Sequence, residues 1–369
     1  MTVGLDELKR RLGTFAADQA AGVSPLYEHL AASAAGDDEV AGLLLAAPDE
    51  HAGAPLLLAA AHRLVQADPV HPLSRYYPSL GGFDGVDGAT WPLFREFLLE
   101  RADRAREIIA TRRVETNEVG RAAGIYPAVA AAAKQAGGKV ALLEAGCAAG
   151  LLLGLDRFGY RYQCDGGEQL VAGPAKAAVG LHCALDLAPG AVLPKLPKKL
   201  AVTAKVGLDS EPVDSSDEEE LAWLEACVWA DQLDRIRQLR VAAAAQRKDP
   251  PQLVRGDAVD DLAEAAGQAG DGPLVVLTVR MLAHLPPPRR REFVDALAGL
   301  AGSRPLWWIS DEPYEAGLAH VLPGRDDLNF FDGDARCTLG LTTWNDGSVA
   351  ARALARTSRY GHRMTWLSS

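Results

Sequence analysis

The chain has 369 residues, 48% of them hydrophobic and 24% charged, and its 38 Lys and Arg against 49 Asp and Glu leave a formal net charge of -11. That composition is globular rather than disordered, and at roughly 150 residues per domain the length suggests two or three units, of which two is the reading adopted. An acidic balance argues against a phosphate backbone as the main partner, because nucleic-acid binding rests on basic patches that release counterions. The opening MTVGLDELKRRLGTFAADQAAG has no long apolar core behind its charges, and no uninterrupted run of 18 apolar residues occurs, so a cytoplasmic protein with no membrane partner is expected. Cys147, Cys164, Cys183, Cys227 and Cys337 are odd in number and form no C-x-x-C pair, which points to reduced thiols rather than disulfides or a zinc knot.

From Leu5 to about Ala61 apolar residues recur every three or four positions, as at Leu5, Leu8, Leu12, Leu26 and Leu30, with Pro25, Pro48 and Pro55 as breaks. Leu56 to Val65 continues this helical pattern in an alanine- and leucine-rich stretch. His71 to Trp91 carries prolines, Gly81-Gly82, Gly85 and Gly88, and reads as a structured loop. One helix is expected from Pro92 to about Arg113 and another from Val119 to Ala136, closed by Gly137-Gly138.

At Lys139 the pattern changes to a short apolar run that ends on Glu144 and opens into Gly146-Cys147-Ala148-Ala149-Gly150, a strand, tight turn and helix. Strand-like runs follow at Leu200–Val206, Gln252–Arg255, Leu274–Val279, Leu306–Ser310, Cys337–Trp344 and Val349–Thr357. Helices are expected over Asp217–Gln246, Asp261–Gln268 and Pro288–Ala301. Strands alternating with helices imply an α/β domain with a Rossmann-like, mostly parallel sheet. Asn345-Asp346-Gly347 signals an antiparallel hairpin at its C-terminal end. The division expected is a helical cap or substrate domain over 1–136 and the Rossmann-like domain over 137–369.

A parallel sheet finished by an antiparallel hairpin, with Leu142 to Gly150 closing a strand on an acid and a small-residue loop, resembles the class I methyltransferases that bind S-adenosylmethionine. Small residues let a ligand approach the backbone, and a helix N-terminus offers amides to a carboxylate. The resemblance implies a cofactor site at Glu144, Gly146, Cys147, Ala148 and Gly150, with the ribose on Asp209 and the adenine beside Asp257-Ala258. Asp214 is the second candidate for the ribose, and helix capping is the competing role of Asp257. Asn117 and Arg121, just ahead of the first strand, join this set: Arg121 suits a carboxylate, while Asn117 and Glu118 also suit a helix start.

Thr116-Asn-Glu-Val-Gly-Arg121, the 144–150 loop, Asp156-Arg-Phe-Gly-Tyr160, Pro212-Val-Asp214, Trp223 to Trp229 and Trp308 to Glu312 together resemble a bacterial family catalogued as domain of unknown function 2332, over almost the full chain. That family tends to carry Ser at the position of Ala148 and a histidine where this chain has Thr278-Val279-Arg280. By topology, positions beyond the C-terminal strand ends nominate Arg280 and His284 after Leu274–Val279, and Asp311, Glu312 and Tyr314 after Leu306–Ser310, as reacting groups. His71 and Tyr77 of the N-terminal loop complete the catalytic candidates, although packing is the commoner role of such rings.

The expected activity is transfer of a methyl group from S-adenosylmethionine to a small molecule. Attack on the aminocarboxypropyl chain with release of methylthioadenosine is an alternative, as is a scaffold that keeps the fold without catalysis. No G-x-S-x-G, H-E-x-x-H or Walker-type loop appears, the eight histidines show no paired ligand spacing, and no metal is expected.

Overall fold

The computed structural model describes residues 3–330, 335–345 and 347–368. They form two units, Met1–Thr116 with Asp217–Arg237, and Asn117–Ser216 with Gln238–Ser369. The division therefore falls at 116/117 rather than at 136/137, and a later segment returns to the helical unit.

The helical unit contains α1 (Leu5–Phe15), α2 (Pro25–Ala35), α3 (Asp38–Gly42), α4 (Ala54–Ala67), α5 (Thr90–Glu100) and α6 (Ala102–Thr111). Ser24 caps α2 by accepting from the Tyr27 amide, with Pro25 as the first helical residue. Asp37 caps α3 in the same way. Leu56 to Ala61 of α4 are all buried, so this helix is the centre of the unit. Leu12, Leu30, Phe94 and Phe97 pack into the same core.

Two expected helices are broken. Pro92–Arg113 divides at Arg101, whose guanidinium reaches the Phe97 carbonyl at 3.3 Å and Asp68 at 2.8 Å. After α7 (Arg121–Gln135), which belongs to the other unit, Asp217–Gln246 divides into α8 (Glu218–Cys227) and α9 (Leu233–Gln246). In the last turn of α8 the Ala226 carbonyl bonds to the His62 ring, and in the break the Ala230 carbonyl accepts from the Ser79 amide, so tertiary partners replace helical ones.

The second unit is built on one sheet. Its strands are β1 (Lys139–Ala145), β2 (Gly159–Cys164), β3 (Gln169–Ala172), β4 (Gly180–Leu187), β5 (Ala201–Asp209), β6 (Gln252–Arg255), β7 (Leu274–Val279), β8 (Leu306–Glu312), β9 (Ala335–Asn345), β10 (Ser348–Ser358) and β11 (Arg363–Trp366). They lie in the order β3-β2-β4-β11-β10-β9-β8-β7-β1-β5-β6. The block β6-β5-β1-β7-β8 is parallel throughout. Taken in chain order its strands run 3-2-1-4-5, the arrangement of a doubly wound sheet. β9, β10 and β11 then add in antiparallel succession. The β9–β10 hairpin pairs Asn345 with Ser348 across its turn, in which Asp346 lies outside the described residues.

Burial explains the parallel block: every residue of β7 and β8 is buried, as are six of the seven in β1. α10 (Leu262–Gln268) and α11 (Pro287–Ala301) supply Leu262, Phe293 and Leu297 to one face. β2 and β4 instead alternate, burying Tyr160, Tyr162, Leu181, Cys183 and Leu185.

The expected α-helix after Gly150 is absent. A seven-residue 3-10 helix, Leu151–Arg157, stands there and leads directly to β2. Its four buried leucines, Leu151, Leu152, Leu153 and Leu155, tie the segment down, and the chain then builds the distant strands before returning at β5.

Candidate functional site at the ends of β1 and β7

β1 and β7 are adjacent and parallel, and from them the parallel block is extended to opposite sides, by β5 next to β1 and by β8 next to β7. That is a topological switch point, where open α/β sheets bind ligands beyond their carboxyl ends. Two loops meet there: 146–150 after β1 and 280–284 after β7. Gly146 has φ +75°, and a Cβ on it would lie 2.3 Å from Cγ and 2.6 Å from Cβ of Met281. Glycine is therefore required by the approach of the second loop to the first. Ala148 at φ 48° and Arg280 at φ 62° are the non-glycine residues with positive φ among those described, one on each loop. Holding such conformations costs on the order of 1–3 kcal/mol each, and strain of this kind collects at functional sites.

Charged groups are packed beneath these loops. Glu144, the penultimate residue of β1, is buried, and desolvation pushes its carboxyl well above the usual range, with Asp209 adding to the effect and Arg121 opposing it. Its Oε2 has no hydrogen-bond partner among the described residues. Arg121, at the start of α7, is lowered to about 10 by burial and by neighbouring Arg280, against the opposing pull of Glu118 and Asp311. Its Nε donates to the Arg359 carbonyl at 3.2 Å. Arg280 donates from Nη2 to the Ser358 carbonyl at 2.7 Å, and its Nε stands 3.9 Å from Asp311 Oδ2, without a hydrogen bond.

The adjacent strand end supplies two more carboxylates. Asp311 accepts from the Thr357 hydroxyl and is buried. Glu312 accepts from the Met281 and Leu282 amides at 2.9 and 3.1 Å through Oε1, which fixes the second loop to β8. Burial raises its carboxyl to about 7 even though those amides oppose the shift, and its Oε2 has no hydrogen-bond partner among the described residues. Asn117 adds a buried Nδ2 with no hydrogen-bond partner among the described residues.

Asn117, Arg121, Glu144 and Arg280, expected from the sequence, thus belong to one unit, and the last three share an electrostatic neighbourhood. Asp311 and Glu312 were nominated from their place at the end of the fifth strand, but the contact of Glu312 with the second loop joins residues 30 and 31 positions apart and shows only in three dimensions. Thr357, Ser358 and Arg359 were not anticipated; they lie at the end of β10 and in the turn to β11, whose short span gives little sequence signal.

Other expected roles are occupied differently. Asp209 Oδ2 accepts from the Ala148 amide at 2.8 Å and its Oδ1 from the Glu211 amide at 2.9 Å, so it braces the first loop. Gly146 donates to Leu208 and Gly150 to Cys147, while the Ala149 carbonyl accepts from Gln246. The Cys147 side chain is buried. Asp257 accepts from Val259, Asp260 and Arg289, the last at 2.6 Å, and lies beyond β6, two strands from β1. Ala258 packs against the sheet core. In the helical unit, His71 accepts from the Leu73 amide and its ring lies 4.7 Å from that of Phe97. Tyr77 is buried, which raises its hydroxyl above the ordinary value.

A family model described as "Uncharacterized protein conserved in bacteria (DUF2332)" matches residues 9–366. The chain belongs to that family. Neither the curated proteins nor the solved structures contain a match to it. In this DUF2332 chain the match takes in the whole sheet from β1 to β11, including both loops of the switch point. Among the described residues no helix is long and apolar enough to cross a membrane.

Proposed function

We propose that the chain is an S-adenosylmethionine-dependent transferase, moving a methyl group to a small molecule, with the cofactor held where the loops after β1 and β7 meet. The supporting observation is the coincidence at that edge of two strained non-glycine residues, Ala148 and Arg280, with buried acidic and basic side chains. An α-amino acid end carries a carboxylate and an ammonium group. Arg121 and Arg280 match the first, and Glu144 and Asp311 match the second. Glu144 Oε2 and Arg280 Nε, which make no hydrogen bond among the described residues, are polar atoms that such a group would satisfy. When bound, the cofactor supplies an electrophilic carbon on its sulfonium; the chain's part is to orient it and exclude water. Attack on the aminocarboxypropyl carbon would use the same seat.

A second reading has its own observation. Asp209 and Asp257, which the methyltransferase resemblance assigns to ribose and adenine, are engaged by Ala148 and Arg289. A site so arranged suits an amino acid without a nucleoside. Calorimetric titration with S-adenosylmethionine, S-adenosylhomocysteine, methionine and NAD separates the two, with mass analysis of the recovered cofactor. Saturation by the first two and not by NAD supports the transferase; equal affinity for methionine supports the second reading. Release of methylthioadenosine assigns the non-methyl chemistry. Binding of none of the four overturns the site.

A further inference from the structure

The helical unit holds a separate group of side chains with the geometry of an activated nucleophile. His62 lies on α4, fully buried, and its Nε2 stands 2.7 Å from the hydroxyl of Ser79. Its Nδ1 is 3.2 Å from the Ala226 carbonyl. A carbonyl oxygen can only accept, so in the neutral ring Nδ1 carries the proton and Nε2 presents its lone pair to Ser79. This is the order of parts that nucleophilic catalysis uses: hydroxyl, base, and a third group fixing the base's tautomer.

Ser79 is held in place independently of that bond. It sits in the 3-10 turn Pro78–Leu80, and its amide donates to the Ala230 carbonyl at 2.9 Å. Gly81 at φ +87° ends the turn. The Tyr77 ring, 5.4 Å from the imidazole, covers it. Ser79 is partly exposed while His62 is fully buried.

We propose that Ser79 is a base-activated nucleophile for acyl esters, with His62 as its general base and the Ala226 carbonyl as the positioning group. In the reaction the Ser79 Oγ forms a bond to the acyl carbon and gives its proton to His62 Nε2. The ester's alkoxide leaves and takes that proton as an alcohol. Water then repeats the sequence, losing its proton to Nε2 as the acyl group departs as the acid and Ser79 is restored. The proposal is independent of the transferase reading.

The test is labelling of the full chain with a fluorophosphonate probe, in which Ser79 Oγ displaces fluoride at phosphorus, followed by peptide mass analysis. The expected result is an adduct on Ser79 of the folded protein, absent from the guanidinium-unfolded protein and from Ser79→Ala. His62→Gln should slow labelling by about 100-fold or more, the lower range of general-base contributions. Because His62 is buried, a second variant, Ser79→Cys, is labelled with iodoacetamide at pH 6: fast alkylation in the folded chain and slow alkylation in the unfolded chain give the same answer without altering the base. An unmodified Ser79 in the folded wild type, or equal labelling in folded wild type and His62→Gln, overturns it.

Discussion

Replacing Glu312 by Gln should flatten the pH dependence of the sheet unit's stability. The Glu312 carboxyl titrates near 4.5 in an unfolded chain and is held at about 7 in the folded one by burial. Between those values the folded state binds more protons than the unfolded, so stability falls as pH rises: the contribution is complete below about 4.5 and gone above about 7. The gap corresponds to roughly 3 kcal/mol at 1.36 kcal/mol per pH unit, most of it lost between about pH 5 and pH 8. Gln keeps an acceptor for the Met281 and Leu282 amides without the ionisation. Cys337, buried in β9, reports opening of this unit: its alkylation is followed along a guanidinium gradient at each pH. The wild-type midpoint should fall from pH 5 to pH 8 by an amount equivalent to roughly 2–3 kcal/mol more than the variant's. Parallel profiles would refute the assignment of a raised carboxyl to Glu312. Glu144, shifted in the same direction, leaves a residual slope in the variant.

Gly146→Ala should lower stability by roughly 2–4 kcal/mol in thermal melts, combining positive φ with the clash on Met281. A double-mutant cycle with Met281→Ala should show a coupling of about 1–3 kcal/mol, and additivity would contradict the contact. Lys205 reaches Asp156 at 2.7 Å, both largely buried, so Lys205→Met should cost roughly 2 kcal/mol or more and Lys205→Met/Asp156→Leu should recover most of it in denaturant titrations. Trp308→Phe, which removes the indole donor to Thr278 Oγ1 at 3.0 Å, should cost about 1–3 kcal/mol, and an unchanged melting temperature would show that the bond contributes nothing.

The parallel block was the most legible part of the sequence. β6 and β7 begin and end at the expected residues: β7 is buried on both faces and leaves a continuous apolar run bounded by turn residues, while β6, a half-exposed strand at the sheet's edge, is bounded by Pro251 and Gly256. β2 and β4 carried a signal of another kind: Tyr160, Arg161, Tyr162 and Gln163 alternate buried and exposed, and so do Leu181, His182 and Cys183. That period of two sits where a crossover helix was expected, and Gly150 to Arg157 gave no local sign that the helix would be replaced. The break at 228–232 was invisible for a different reason. Trp229 and Ala230 read as helical, and only His62 and Ser79, far away in sequence, take up the carbonyls around them. In the candidate site, Glu144 and Arg121 were found through chain position beside β1, whereas the bracing role of Asp209 depends on a 2.8 Å contact across 61 residues.

The central claim is that the loops after β1 and β7 form a seat for S-adenosylmethionine, and hydrogen exchange read by mass spectrometry tests it most directly. With S-adenosylhomocysteine at saturating concentration, peptides covering 144–150 and 280–284 should exchange more slowly than in the free protein. Unchanged exchange in both segments, or protection confined to other parts of the chain, would contradict the account.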